Sequence, residues 1–167
     1  MTEHEGGCLC GALRFVATAK PVRITVCHCR FCQRATGTAA FVEPIFRRPD
    51  VQLTAGLPKT YQHRSDGSGK VMTMHFCATC SGKLLLSFER FPEVMGVYAG
   101  TFDDPDWFDR PSDISRYIFL ASAQRGTVIP PGVKTYAGHA YEDDGTPRAP
   151  LIYDDFHVVG AHNQGAR

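Results

Sequence analysis

No stretch of this chain approaches the ~20 consecutive apolar residues of a membrane-spanning helix, and no apolar run follows the opening Met-Thr-Glu-His-Glu-Gly-Gly, so neither a span nor a secretory leader is expected. Charge of one sign is missing too. The 18 basic and 17 acidic residues nearly cancel, whereas nucleic-acid-binding domains gather a basic excess on one face, so no nucleic-acid partner is expected. Long amphipathic periodicity is absent, which excludes a helical bundle. There is a single tryptophan, Trp107, and it reads more readily as a packing residue than as a rim or lid.

What the chain does have is a series of short strand-like runs. At 167 residues, with 43% apolar and 21% charged, it falls within the size and composition of one globular domain. Runs predicted as strands are 12–17, 22–26, 38–43, 51–54, 71–76, 83–88, 94–99 and 115–120. In the run 71–76, Met72, Met74 and Phe76 share one face, the expected core side, and Thr73 and His75 share the other. Turn signals such as Asp66-Gly67-Ser68-Gly69 separate the runs at intervals that suit antiparallel pairing. One short helix is predicted over 30–36, with Gly37 at its C-terminus. From Pro130 onward the chain is rich in Pro, Gly and Asp and reads as a surface wrap, anchored by Tyr153, Phe156, Val158 and Val159 and followed by a flexible tail over 160–167.

The seven cysteines carry most of the information. All fall in tight groups: Cys8 and Cys10; Cys27, Cys29 and Cys32; Cys77 and Cys80. An odd count, and pairs too close in sequence for an unstrained bridge, argue against disulfides and for a reducing, cytoplasmic location. Zinc takes four ligands, and closely spaced cysteines can point both sulfurs at one ion. Two separate pairs therefore make the halves of one closed site, Cys8, Cys10, Cys77 and Cys80. Cys27, Cys29 and Cys32 remain as an open site with a fourth position for water or substrate. Exchange of one pair between the sites is the lesser alternative. A histidine would close the open site, and His28, His63 and His75 are the candidates, although on an extended Cys-His-Cys stretch His28 projects away from its flanking sulfurs. If the second metal is labile, the predicted helix and the cations Arg30 and Arg34 favour thiolate.

These motifs resemble one family. Gly7-Cys8-Leu9-Cys10-Gly11-Ala12-Leu13-Arg14-Phe15, Cys27-His28-Cys29-Arg30-Phe31-Cys32-Gln33-Arg34-Ala35-Thr36-Gly37, Phe76-Cys77-Ala78-Thr79-Cys80 and Ala99-Gly100-Thr101-Phe102-Asp103-Asp104-Pro105 are similar to segments of the glutathione-dependent formaldehyde-activating enzymes and their centromere protein V relatives. The resemblance covers about the first 105 residues and weakens through Arg116-Tyr117-Ile118-Phe119. It implies a mainly β fold, coiled antiparallel sheets around a structural zinc, with the short helix after the Cys-x-Cys-x-x-Cys segment. By position it makes Cys8, Cys10, Cys77 and Cys80 the structural ligands and Cys27, Cys29 and Cys32 the catalytic ones. The activity implied is carbon–sulfur lyase chemistry, the reversible joining of formaldehyde and glutathione as S-hydroxymethylglutathione. The chain departs from the family at Ser81, where members often have glycine, and at Tyr117 and Arg125-Gly126.

On this reading residues 1–120 form the zinc-binding β domain, 121–159 an extension packed on it and 160–167 the tail. Two zinc ions per chain and a small thiol partner are expected, with the chain a monomer or a homodimer paired through edge strands. Arg30 and Arg34 lead the candidates for binding substrate carboxylates, followed by Arg47, Arg48 and Lys70. The alternative function is a non-catalytic zinc module that binds a macromolecule.

Overall fold

The computed structural model describes residues 3–160; most of the predicted tail, 161–167, lies outside them. In chain order the elements are β1 (His4–Gly7), β2 (Arg14–Ala17), β3 (Arg23–Cys27), α1 (Arg30–Thr36), β4 (Phe41–Arg47), β5 (Val51–Ala55) and β6 (Lys59–Arg64). They continue with β7 (Val71–Phe76), β8 (Lys83–Phe88), β9 (Val94–Val97), β10 (Ser115–Ile118), β11 (Val128–Ile129), β12 (Lys134–Thr135) and β13 (His157–Val158). The fold is mainly β, with one α-helix among the described residues, as the sequence predicts. No helix here is long and apolar enough to cross a membrane.

The chain forms two compact units, one comprising the residues up to Ile24 with Glu43–Asp109, the other Thr25–Val42 with the residues from Arg110 on. In the first unit β1, β2 and β5 make a three-stranded sheet, and β4, β9, β8, β7 and β6 follow one another in a second, antiparallel one. Its core holds Phe15, Phe46, Leu84, Leu85, Val97 and Phe102, with Cys8 and Cys77 at its margin. Phe15, Phe46 and Leu84 are fully buried, each worth roughly 1.5–3 kcal/mol of transfer free energy. Trp107 packs here against Phe102 and Phe108 at ring separations of 5.0 Å, a packing role, and stacks on His4. Gly96 on β9 is needed for close approach, because a Cβ there would lie 2.0 Å from a carboxylate oxygen of buried Glu43.

In the second unit β10 lies between β3 and β12. The β10–β12 pair is parallel, Arg116 opposite Lys134 and Tyr117 opposite Thr135, where antiparallel pairing is predicted throughout. The chain between them, through β11, is long enough for the crossover that parallel strands need. β11 and β13 pair antiparallel, Ile129 opposite His157. Phe156 does not anchor this segment, being 71% exposed. The segment is held instead by its backbone, where Gly132 N–H donates to Tyr153 C=O and Thr135 and Leu151 exchange two bonds, and by the stacked rings of Tyr153 and His157.

Predicted strands 71–76 and 83–88 match β7 and β8 at both ends, although on the predicted core face only Met74 is buried, with Met72 and Phe76 half-buried. The run 38–43 is displaced: residues 38–40 bend and the strand continues through buried Pro44 to Arg47.

Candidate metal centres

The first unit brings Cys8, Cys10, Cys77 and Cys80 together, their four Sγ atoms all within 4.8 Å of one another. Two turns present them. After β1, Cys8 N–H donates to Leu13 C=O and Gly11 N–H to Cys8 C=O; after β7, Cys77 N–H donates to Gly82 C=O and Ser81 N–H to Cys77 C=O. Leu13 N–H reaches Cys8 Sγ at 3.3 Å and Thr79 N–H reaches Cys77 Sγ at 3.4 Å, so each turn delivers backbone donors to a sulfur that would carry negative charge. Cys8 and Cys10 sulfurs lie 3.5 Å apart, and Cys10 and Cys77 sulfurs 3.7 Å apart. A disulfide would require about 2 Å, whereas four sulfurs at ~2.3 Å from zinc sit about 3.8 Å from one another. The donor set and its spacing fit a tetrahedral thiophilic ion. Backbone N–H groups of Cys80 and Thr79 pull the Cys77 thiol down to about 6. The Ala12 N–H also favours thiolate at Cys10, but the neighbouring sulfurs of Cys8 and Cys80 outweigh it and push Cys10 up to about 11.

The second unit gathers Cys27, Cys29 and Cys32, again with all Sγ atoms within 4.8 Å. Cys27 ends β3, Cys32 lies in the first turn of α1, and Cys29 is the N-cap, its Sγ accepting from Cys32 N–H at 3.3 Å. Gly37 closes α1 in the left-handed conformation, φ 73°, donating to Gln33 C=O. Cys27 and Cys32 are buried and Cys29 half-buried. Hydrogen bonds from the Cys27 and Cys32 thiols, aided by Cys32 and Phe31 N–H groups, pull Cys29 down to about 3 against the effect of burial. The adjacent Cys29 sulfur and burial push Cys27 up, and the neighbouring Cys27 and Cys29 sulfurs with burial push Cys32 up. The set offers three soft sulfur donors, three of the four ligands that zinc takes.

No histidine joins either group among the described residues. His28 is buried with its ring stacked on Tyr117 at 6.1 Å, and burial lowers its pKa. His75 bonds Ser87 Oγ at 2.9 Å. Arg30 is exposed and its guanidinium bonds the Gln33 side chain; Arg34 is exposed in the last turn of α1. Arg47, Arg48 and Lys70 belong to the other unit, where Lys70 pairs with Glu89 at 3.7 Å.

Sequence reasoning missed Gln33. It is buried, and its Nε2 donates to His28 C=O at 2.6 Å and Ser122 C=O at 2.9 Å, which fixes α1 and the cysteine segment to each other. A glutamine in a seven-residue helix gives no sequence sign of burial.

Known proteins share parts of this sequence and fold. A crystal structure of a Rhodobacter sphaeroides protein is similar at a TM-score of 0.49 and 21% identity, covering 68% of this chain and 98% of that one. A Halomonas elongata protein, provisionally named a glutathione-dependent formaldehyde-activating enzyme, is 30% identical over 102 residues, 59% of this chain. The match spans 65% of that relative's length. The profile of the family described as glutathione-dependent formaldehyde-activating enzyme matches residues 3–118, more than half of the chain and all seven cysteines. The chain belongs to the glutathione-dependent formaldehyde-activating enzyme family.

Proposed function

We propose that Cys27, Cys29 and Cys32 hold a zinc ion at a reaction centre where a small thiol and formaldehyde are joined or separated, and that Cys8, Cys10, Cys77 and Cys80 hold a second, structural zinc. The observation that carries the reading is the unequal donor count: four sulfurs in one unit, and in the other three with no fourth protein donor among the described residues. Zinc bound by three ligands supplies an open position at which a substrate thiol loses its proton more easily. Three thiolate ligands would give such a site a net negative charge and make it a weak Lewis acid, so placement of the reactants would contribute more than polarisation.

The rest of the chemistry falls to the chain. In the forward direction the thiol sulfur forms a bond to the formaldehyde carbon, the carbonyl π pair moves to oxygen, and the proton given up by the thiol ends on that oxygen. The product is a hydroxymethyl thioether and no electrons are gained or lost. Reversal breaks the carbon–sulfur bond, which is lyase chemistry. Buried Cys27 and Cys32 keep the centre rigid, half-buried Cys29 leaves it open to a substrate, and Gln33 holds α1 in register through the carbonyls of His28 and Ser122. Glutathione is the thiol that family membership and the relative's name favour. None of the seven cysteines is disulfide-bonded, which favours a reducing compartment such as the cytoplasm.

The test is metal content and turnover on the full chain and a Cys29→Ala variant. The wild type should carry two zinc ions and accelerate adduct formation from 13C-formaldehyde and glutathione, followed by NMR. Cys29→Ala should lose one zinc and the acceleration while keeping its circular dichroism. Loss of both ions, or a wild type with no acceleration, would leave a scaffold or binding module instead.

A further inference from the structure

Arg116 is a charged side chain that the fold buries without giving it a counter-ion. It is 9% exposed, its Nε finds no acceptor, and no carboxylate among the described residues pairs with it. Its nearest interaction is with the Tyr141 ring, whose centroid lies 5.3 Å from the guanidinium carbon. Stacking uses the face of a guanidinium and leaves its in-plane N–H fork available. The residue opposite it in the β10–β12 pair is Lys134, another cation. Lys134 is exposed and supplies no counter-charge, and an unpaired buried charge is costly. An anion would relieve that cost, and a carboxylate matches the fork in two hydrogen bonds.

Strand geometry puts this arginine on the same side of the β3–β10 pair as Cys27. His28 N–H donates to Ile118 C=O at 3.0 Å, so the end of β3 lies along β10, and the His28 and Tyr117 rings stack on one side of that pair. Successive side chains in extended chain point to opposite sides. Cys27, next to His28, and Arg116, next to Tyr117, therefore share the other side. We propose that Arg116 binds a carboxylate of the thiol substrate whose sulfur is taken up at Cys27, Cys29 and Cys32. This assignment rests on the reading of that cluster as a thiol-accepting centre.

The test is calorimetric titration of the zinc-loaded full chain with S-methylglutathione, which keeps both carboxylates and has no free thiol, and with its dimethyl ester. The wild type should bind the acid about 10- to 100-fold more tightly than the ester. Arg116→Gln should lose that preference and Arg116→Lys should recover part of it. Equal binding of acid and ester by the wild type, no binding of either, or an Arg116→Gln variant that keeps the preference would overturn the assignment. The acid–ester comparison needs no variant, so it decides even if Arg116→Gln fails to fold. The adduct assay on the wild type reports separately on the reaction: a chain that binds the acid through Arg116 but produces no acceleration would refute the catalytic reading alone.

Discussion

The two cysteine clusters use the same atoms at similar spacing and differ in how much chain they tie together. Cys10 and Cys77, whose sulfurs meet at 3.7 Å, are 67 positions apart, whereas Cys27, Cys29 and Cys32 lie on one short segment already shaped by the end of β3 and the first turn of α1. A metal on the first set closes a long loop and joins the turn after β1 to the turn after β7. On the second it closes almost none. Cross-links stabilise chiefly by removing freedom from the unfolded chain, with longer loops counting for more. On the proposed reading, sequence separation between ligands would distinguish a cluster that sustains the fold from one that the fold can hold ready for other work.

The sharpest break in this comparison comes from removing one sulfur on each side. Apparent binding energies of structural zinc run to about 10–16 kcal/mol, against about 5–15 kcal/mol for the stability of a whole domain. Cys77→Ser should therefore abolish cooperative unfolding of the first unit and release its zinc, seen as loss of near-ultraviolet dichroism. Cys29→Ala should shift the melting temperature by only a few degrees. Equal collapse of both variants would mean that the local cluster is also a structural staple.

A smaller effect sharpens the same contrast through the backbone. Among the described residues each unit holds one non-glycine residue in the left-handed region: Ser81, φ 59°, directly after Cys80, and Phe119, φ 60°, directly after the Ile118 carbonyl that receives His28. The conformation costs about 1–2 kcal/mol for an L-residue, and glycine forfeits roughly half of the relief through its freer unfolded chain. Ser81 has little side chain to lose, so Ser81→Gly should stabilise by about 0.5–1 kcal/mol, or roughly 1–4 °C. Phe119 packs near His139 at 6.1 Å, and Phe119→Gly forfeits that packing, for a net loss of about 1–2 kcal/mol. Thermal melts of the two variants should move in opposite directions; a stabilised Phe119→Gly would show that its ring contributes nothing.

The sequence made the clusters legible because metal chemistry needs particular side chains at particular spacings, and seven thiols left few ways to divide them. Helix α1 was readable at both ends from Arg30 and Gly37, and β7 and β8 from their apolar content. Strand β6, Lys-Thr-Tyr-Gln-His-Arg, has no apolar alternation because it is largely exposed, and β1 contains two glycines and no apolar side chain. The predicted run 38–43 stops short of Pro44, which sits buried within β4. The burial of Gln33 and Arg116 was illegible for a different reason: it depends on which segments pack over them, Ser122 over one and Tyr141 over the other, and no local pattern encodes that.

The smallest expected effect concerns a tie in the first unit made without metal. Arg14 on β2 donates to both carboxylate oxygens of Asp103, with Nη1 at 2.9 Å from Oδ1, and reaches Glu5 on β1 at 3.1 Å. The Arg14 hydrogen bonds hold the Asp103 carboxyl below its ordinary value. A group depressed by folding stabilises above its unfolded pKa, about 3.9 for aspartate, and loses that contribution only as pH falls through the lower folded value. The pair is solvated, so its share is at most about 1 kcal/mol and weakens with salt. Between pH 7 and pH 5 Asp103 is ionised whether folded or not, and the melting-temperature gap between wild type and Asp103→Asn should stay constant. Over the same interval metal-dependent stability falls, because thiolates must be protonated as zinc leaves. A gap that instead shrank toward pH 5 would mean that Asp103 titrates near the ordinary range and that Arg14 does not hold it ionised.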